Sequence, residues 1–198
     1  MESPDRPGSP LVGVLAIQGD FEAHARVLRE LGAQARIVRT PAELEGLDAL
    51  VVPGGESTTM ALGVEREGLA EPLRDLVRAG TPVLGTCAGL IMLDRHHLGV
   101  LDVAARRNAF GRQVASFEAD LELSGLDGNG RAGGPLRAVF IRAPWVEEYG
   151  DGVEVLGEIE GHAVAVRQGN VLAVAFHPEL TGDRRVHAWL LDRVRERA

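Results

Sequence analysis

The only cysteine of the chain, Cys87, lies between two glycines in the stretch Gly85-Thr86-Cys87-Ala88-Gly89. An apolar run precedes it and a helical pattern follows it, so residues 82–93 predict a strand, an abrupt turn and a helix. The glycines remove Cβ clashes at such a turn, and the helix N-terminus beneath the thiol favours a thiolate. This pattern is typical of a nucleophile elbow with sulfur in place of the serine oxygen. The alternative is a buried cysteine that serves only as a small hydrophobic side chain.

A histidine and a carboxylate follow the last apolar strand, in the segment His177-Pro178-Glu179. The proline holds His177 in an extended conformation, and residues two apart on an extended chain project to the same side. Glu179 can therefore orient the imidazole and stabilise its charged form while the other ring nitrogen faces a thiol. The alternative is a surface histidine beside a solvated glutamate.

Two further glycines, Gly54 and Gly55, begin the segment Gly-Gly-Glu-Ser-Thr-Thr-Met after another predicted strand. Glycines let the backbone approach a ligand closely and present N–H groups to it. A phosphate-binding loop is one interpretation, but the sequence lacks the Walker lysine and its spacing. A second is a loop that supplies an oxyanion N–H opposite Cys87. The third is a tight turn followed by a Ser/Thr N-cap of the next helix.

These three segments together supply a nucleophile, a base, a carboxylate that orients the base, and oxyanion donors. All follow predicted strands, and the set is typical of acyl transfer through a thioester. The other histidines have no comparable setting: His24, His96, His97, His162 and His187. With one cysteine and no spaced His/Asp cluster, the sequence predicts no metal site.

The elements that must position these residues alternate between strand and helix in the first half of the chain. Short apolar runs predict strands, and amphipathic segments closed by glycine predict helices. The predicted strands are 11–17, 35–38, 47–52 and the run before Cys87, and the predicted helices are 21–31, 69–79 and the one after Cys87, with a helical turn at 41–44. This alternation indicates a parallel sheet covered by helices on both faces.

Beyond residue 110 the pattern changes to strands of alternating hydrophobicity. The predictions here are strands at 117–123 and 136–141, a hairpin of 153–159 with 162–166, a strand at 171–176 that returns to the central sheet, a glycine-rich loop at 126–134 and a terminal helix at 182–197. We therefore expect an α/β core with a mostly antiparallel extension. We also expect one domain over 11–198, preceded by a disordered, proline-rich lead-in over 1–10.

The composition limits the partners that the chain can have. The chain has 198 residues, enough for one domain with a full core. A net charge of −8 argues against a nucleic-acid-binding surface, which needs clustered Lys and Arg. No stretch approaches the length of a membrane span. A single cysteine excludes an intramolecular disulfide, and a thiol that must stay reduced suggests the cytoplasm.

The elbow around Cys87 and the segment His177-Pro178-Glu179 resemble those of the class I, or triad, glutamine amidotransferases. Further segments resemble one family among them, the glutaminase subunits of pyridoxal 5'-phosphate synthase. These segments are 53–60, 107–113, 116–121, 140–144 and 176–181. The first two are not general features of triad amidotransferases, which makes the resemblance specific. One departure is that the segment 94–99 is shorter than expected for the family.

The resemblance implies a three-layer α/β/α, flavodoxin-like fold with a mostly parallel sheet and a small antiparallel extension. It implies hydrolysis of L-glutamine to L-glutamate and ammonia, with the ammonia passing through a tunnel to a separate (β/α)₈ synthase subunit. That subunit would build pyridoxal 5'-phosphate from a pentose phosphate and a triose phosphate, and the glutaminase itself needs no cofactor. By motif, Cys87 is the nucleophile, His177 the general base and acid, and Glu179 the carboxylate that orients His177.

The same resemblance implies a glutamine site and an oxyanion hole. The implied glutamine-binding residues are Gly55, Glu56, Ser57, Arg107, Ile141 and Arg142, and the implied oxyanion donors are the backbone N–H groups of Gly55 and Ala88. Arg107 or Arg142 can pair with the α-carboxylate of glutamine, and backbone carbonyls or Glu56 can accept from its α-ammonium group. The alternative for either arginine is a surface ion pair, worth about 0–1 kcal/mol.

Two other functions compete with this interpretation. One is another glutaminase, such as the one that serves imidazole glycerol phosphate synthesis; the Gly-Gly-Glu-Ser-Thr-Thr-Met segment argues against it. The other is a non-catalytic regulatory or binding subunit on the same fold, against which the presence of Cys87, His177 and Glu179 argues.

Overall fold

The structure is a computed structural model that describes residues 8–111, 116–126 and 134–197. Its strands are β1 (Leu11–Leu15), β2 (Gln34–Val38), β3 (Ala49–Val52), β4 (Val83–Thr86), β5 (Val103–Arg106), β6 (Ser116–Leu121), β7 (Leu136–Ile141), β8 (Trp145–Tyr149), β9 (Glu154–Ile159), β10 (His162–Gln168) and β11 (Val171–Val174). Its α-helices are α1 (Phe21–Glu30), α2 (Ser57–Arg66), α3 (Ala70–Arg78), α4 (Ala88–Leu93) and α5 (Arg185–Arg197). Short 3₁₀ helices cover Pro41–Leu44 and Pro178–Leu180.

One large sheet runs through the molecule in the order β2-β1-β3-β4-β11-β10-β8-β5, with β9 paired to β10. The first five strands of this order are parallel, and β11, the last of them, returns to the central sheet as predicted and pairs there with β4. From β10 onward the pairings are antiparallel. Because β11 takes the place of a fifth strand, the parallel part has the 2-1-3-4-5 order of flavodoxin-like folds.

Two clusters of buried apolar side chains lie on opposite faces of this sheet. Leu84 and Leu172 belong to the cluster that contains side chains of α1 and α5 and of the separate β6–β7 ribbon. Their neighbours Val83 and Ala173 belong to the cluster that contains side chains of α2, α3 and α4. Successive residues of a strand point to opposite faces, so strands buried on both sides read as continuous apolar runs. The predicted three-layer α/β/α fold is confirmed.

Most of the predicted elements are present, with bounds that differ by a few residues at most. The predicted strand 11–17 ends at Leu15, and the predicted helix 182–197 begins at Arg185. Strand β7 and the β9–β10 hairpin lie where a strand and a hairpin were expected. Strands β5 and β8 were not predicted. The lead-in 1–10 falls mostly outside the described residues, as does the loop 126–134, and the single domain over 11–198 stays a prediction.

The parallel part of the sheet places three chain segments side by side at one edge. Val52 of β3 is in register with Gly85 of β4, and Thr86 of β4 is in register with Val174 of β11. The backbone N–H of Cys87 continues the ladder to the carbonyl of Val174 at 2.8 Å. The loops after β3, β4 and β11 therefore meet at the carboxyl edge of the sheet, where ligands bind in open α/β folds. Among the described residues, no helix is long and apolar enough to cross a membrane.

Candidate active site

The predicted elbow is built from β4, a one-residue turn and α4. Cys87 has φ +50° and ψ −109°, a conformation that residues other than glycine rarely adopt, and such strain clusters at functional sites. A Cβ at Gly89 would collide with the backbone carbonyl of Val52, and a Cβ at Gly85 would lie 3.0 Å from the Gly89 carbonyl. Both glycines are needed because α4 begins directly against the ends of β3 and β4.

His177 and Glu179 meet beside this elbow. The Nδ1 atom of His177 lies 2.7 Å from Oε1 of Glu179, whose side chain is almost fully buried. The predicted pairing is therefore present, but its stated geometric reason was wrong. Glu179 lies in the 3₁₀ turn that begins at Pro178, and it reaches His177 from this turn instead of along an extended strand.

The electrostatic setting of His177 favours its charged form. Burial alone lowers the pKa of His177, but hydrogen bonds with Cys87 and Glu179, together with their charges, outweigh burial and raise it to about 10. His177 is therefore an imidazolium placed between the Cys87 sulfur and the Glu179 carboxylate, where it can exchange a proton with a group bound at the sulfur. Cys87 is 7% exposed, so its sulfur is reached only from the adjoining cavity.

The loop after β3 packs its first glycine against both of these side chains. A Cβ on Gly54 would lie 2.8 Å from Cε1 of His177 and 3.1 Å from Cβ of Cys87. The Gly54 N–H donates to Oγ1 of Thr86 at 3.1 Å, which ties this loop to the strand before the elbow. The Gly54 carbonyl is directed at Gly19, so the N–H of Gly55 points the opposite way across the same planar peptide.

Glu56 caps the helix that follows this loop. Its carboxylate accepts from the N–H groups of Thr58 and Thr59, at 3.0 and 2.8 Å, and from the Thr59 hydroxyl at 2.9 Å. These hydrogen bonds, with the backbone N–H of Thr58 foremost, lower the pKa of Glu56 to about 2. The interpretation of a Ser/Thr N-cap was therefore wrong, because the N-cap of α2 is Glu56 and Ser57 is already its first residue.

A cavity of about 290 Å³ opens in front of Cys87. Nine predicted residues line it: Gly55, Glu56, Ser57, Cys87, Ala88, Arg107, Ile141, Arg142 and His177. Glu179 lies behind His177 and does not line the cavity. No residue of the shortened segment 94–99 lines it either. The volume lies at the small end of the range for ligand pockets, which suits a small polar substrate.

Four residues that were not predicted also line the cavity: Gln18, Ile91, Asn108 and Pro144. Gln18 follows β1 at the same carboxyl edge, and its Oε1 accepts from the N–H of Glu56. A search of every predicted strand end would have found it. Asn108 and Arg142 share with Cys87 a positive φ, of +46° and +44°, so three strained residues surround this cavity. Arg107 reaches over α2 and donates to the Thr58 hydroxyl at 3.1 Å.

Two histidines that the sequence reasoning set aside lie directly behind the catalytic candidates. His24 of α1 and His187 of α5 are fully buried, and Nδ1 of His24 lies 2.9 Å from Nε2 of His187. The Nε2 atom of His24 lies 3.3 Å from Oε2 of Glu179. The prediction that no other histidine has a setting comparable to that of His177 was therefore wrong for His24, which also faces Glu179. Within the described residues, no group of three or more His, Cys, Asp or Glu could hold a metal ion.

Comparison with known proteins identifies the family. The model of the SNO glutamine amidotransferase family matches residues 14–196. The chain belongs to the SNO glutamine amidotransferase family.

Relatives of this family member match along nearly their whole length. A protein of Acidothermus cellulolyticus named pyridoxal 5'-phosphate synthase subunit PdxT is 57% identical, over 96% of each chain. A protein of the same name from Mycobacteroides abscessus is 55% identical, over 94% of this chain and 98% of the relative.

Solved structures agree with the family's fold. A crystal structure described as a glutamine amidotransferase has a TM-score of 0.85 at 48% identity, covering 92% of this chain and 98% of that one. A chain in the structure of PurLQS from Thermotoga maritima is 19% identical with a TM-score of 0.73, covering 93% of this chain and 98% of that one. At this identity the likeness is evidence of the fold alone. The SNO family thus shares its architecture with more distant proteins.

Proposed function

We propose that this chain is the glutaminase subunit of a pyridoxal 5'-phosphate synthase. It hydrolyses L-glutamine to L-glutamate and ammonia through a thioester on Cys87. The observation that carries the proposal is the arrangement of Cys87, His177 and Glu179 beside a small polar cavity. The two PdxT relatives, at 55% and 57% identity, support the choice of this synthase over other amidotransferases.

The first chemical step is attack of the Cys87 thiolate on the carboxamide carbon of glutamine. A C–S bond forms, and the electrons of the C=O double bond move to oxygen. The backbone N–H groups of Gly55 and Ala88 are the proposed donors to this oxyanion, since both residues line the cavity at the elbow. Loss of one such donor typically slows catalysis about 10²–10³-fold.

The second step breaks the C–N bond of the tetrahedral intermediate. The high pKa of His177, about 10, means that it already carries the proton that the leaving nitrogen needs. Ammonia departs and leaves the thioester. A water molecule then attacks the thioester carbon and gives its proton to His177, after which the C–S bond breaks, glutamate leaves and the thiolate–imidazolium pair of Cys87 and His177 is restored. Glu179 stabilises the imidazolium through the 2.7 Å contact.

The other end of the cavity is the proposed site for the amino-acid part of glutamine. Arg107 and Arg142 line it and can pair with the α-carboxylate. Because the carboxylate of Glu56 already caps α2, its remaining lone pairs and nearby backbone carbonyls are the proposed acceptors for the α-ammonium group. Ser57 and Ile141 complete the proposed glutamine contacts.

Ammonia is the product that the second subunit consumes. We propose a separate (β/α)₈ synthase subunit as the partner, reached by a tunnel that keeps ammonia out of water. The cytoplasm is the proposed location, because the chemistry requires a reduced thiol. The net charge of −8 favours neither a nucleic-acid nor an anionic membrane partner.

The test combines this chain with a candidate synthase subunit, a pentose phosphate and a triose phosphate. We expect pyridoxal 5'-phosphate to form from L-glutamine only when this chain is present. Ammonium chloride should replace both glutamine and this chain, which serves as the control for an active synthase. Formation from ammonium chloride but not from glutamine plus this chain would refute the proposal.

A further inference from the structure

A chain of buried polar groups runs from the candidate triad into the layer of helices behind it. Glu179 uses Oε1 to hold His177, while its Oε2 is buried and has no hydrogen bond of good geometry. The imidazole of His24 faces this oxygen, because its Nε2 lies 3.3 Å from Oε2 and 3.2 Å from Oγ1 of Thr86. A buried carboxylate oxygen left without a donor is costly, so the state of His24 matters to Glu179.

The surroundings of His24 determine which of its nitrogens carries the proton. Burial first, and then the charges of His187 and His177, lower the pKa of His24 well below its ordinary value, so its ring is neutral. Burial lowers the pKa of His187 to about 3, and the charge of Arg184 contributes in the same direction, so this ring is neutral as well. Each neutral imidazole has one N–H and one bare nitrogen.

Two neighbours favour one arrangement of these protons, the Glu179 carboxylate and the partnerless Nδ1 of His187, whereas the Thr86 hydroxyl, 3.2 Å from Nε2 of His24, can either accept from that nitrogen or donate to it. If His24 carried its proton on Nδ1, its bare Nε2 would face the Glu179 carboxylate, and His187 would keep a buried Nδ1–H that has no partner. If His24 carries it on Nε2, an N–H faces Oε2 of Glu179, and Nδ1 accepts from Nε2–H of His187. The unpartnered atom is then a bare nitrogen, Nδ1 of His187, which leaves no N–H of this histidine pair unpaired.

We propose that His24, as the Nε2–H tautomer set by His187, is a positioning residue for the candidate triad. It holds the second oxygen of Glu179 and thereby fixes the carboxylate that orients His177. Through Thr86, which also accepts from the N–H of Gly54, the same imidazole contacts the strand and the loop that frame Cys87. The proposal rests on the proposed function only where it is tested by kcat and KM for glutamine.

Two variants of His24 separate positioning from packing. His24→Leu fills the space and removes both nitrogens. His24→Gln places an amide group near the position of Nε2 and restores one donor toward Glu179. Hydrogen-bond partners that orient metal-binding side chains typically change affinity or activity about 10–100-fold, and we take the same order of magnitude for a partner that orients Glu179. We therefore expect His24→Leu to lower kcat about 10–100-fold with KM unchanged, and His24→Gln to recover most of that loss.

A control variant and a second assay keep the outcome clear. Val27→Ala shortens a buried apolar side chain on the same helix, outside this network, and should leave kcat unchanged. Alkylation of Cys87 by iodoacetamide needs no glutamine, and its rate should fall in step with kcat in His24→Leu. Because the chain has one cysteine, the mass of the protein reports this reaction directly.

Nitrogen-15 NMR of labelled histidine in the wild type tests the tautomer without any variant. We expect the His24 ring to be neutral with its proton on Nε2. A proton on Nδ1 would overturn the proposal, as would a folded His24→Leu with wild-type kcat and alkylation rate, or a His24→Gln no better than His24→Leu. Should His24→Leu not fold, the tautomer and the activity of His24→Gln decide. If the wild type hydrolyses no glutamine, the proposed function fails, while the spectra and alkylation rates still decide the role of His24.

Discussion

Replacing Gly54 with alanine places one methyl group against the side chains of both Cys87 and His177, the proposed nucleophile and base. The new Cβ would lie 2.8 Å from Cε1 of His177 and 3.1 Å from Cβ of Cys87. Carbon atoms in contact are normally about 3.5–4.0 Å apart, so the imidazole must move by roughly 0.7–1.2 Å. Gly54 does not have a positive φ, so alanine can adopt its backbone conformation and the effect comes from this contact.

The size of the effect follows from that displacement. A misplacement of about 1 Å at a reacting centre costs about 10²-fold in rate. We expect Gly54→Ala to lower kcat for glutamine hydrolysis by about two orders of magnitude, because the methyl group displaces the His177 imidazole from the Cys87 sulfur. Overpacking of this kind typically costs about 1–3 kcal/mol of stability, so the variant should fold.

The assay is ammonia release at saturating glutamine, with the unfolding transition measured on the same samples. Gly182→Ala is the matched control, since a Cβ there meets no atom within 4 Å. Gly55→Ala should be milder than Gly54→Ala, because its Cβ meets the side-chain ends of Gln18 and Met60 and the Gln18 carbonyl at 3.2 Å, but neither Cys87 nor His177. A folded Gly54→Ala with kcat within about threefold of wild type would refute this account of the site.

Four other outcomes test the site. Cys87→Ala should fold and lose glutamine hydrolysis, and a glutamine-derived diazo ketone should label the wild type once, at Cys87; substantial turnover by the pure variant would remove Cys87 from the mechanism. His177→Asn should lose more activity than Glu179→Gln at saturating glutamine, because His177 moves the proton and Glu179 only stabilises it; the reverse order would contradict these roles. The pKa of His177 is raised from 6.5 to about 10, so its charge stabilises the fold fully below pH 6.5, and this stabilisation is lost as the pH rises through 10. The wild-type free energy of unfolding in urea should therefore exceed that of His177→Asn by less at high pH than at pH 6.5. A difference that does not shrink across this range would argue against the ion pair. Finally, the chain alone should be a weaker glutaminase than the chain with its synthase partner, and equal rates would exclude control by the partner.

Local patterns were sufficient to predict the framework of the sheet. Apolar runs and their glycine turns located β1 to β4 and β11, and the rule that ligands bind at the carboxyl edge brought Cys87, His177 and Gly54 together. Strand β8 was not predicted because it follows Pro144 closely and its apolar and polar residues hardly alternate, with Glu147, Glu148 and Tyr149 all exposed. Pairing with β5 and β10 makes this segment a strand, although its own sequence has little strand pattern.

The buried histidines show a second limit of sequence reasoning. His24 and His187 are 163 residues apart and lie on helices whose apolar faces read as ordinary core. Only the packing of α1 and α5 on the same face of the sheet brings them together. The N-cap of α2 was missed for a different reason, since serine and threonine rank well as N-caps and Glu56 gains that role only from the geometry of its loop.

Strands β4 and β11 are neighbours in the sheet, yet residues 87–170 lie between them in the chain. This long excursion contains β5 to β10 and contributes Arg107, Asn108, Ile141, Arg142 and Pro144 to the cavity wall. The cysteine and the histidine are attached to the parallel strands at its two ends. Insertions or exchanges within the excursion can therefore reshape what the wall accepts while the two anchor points stay fixed.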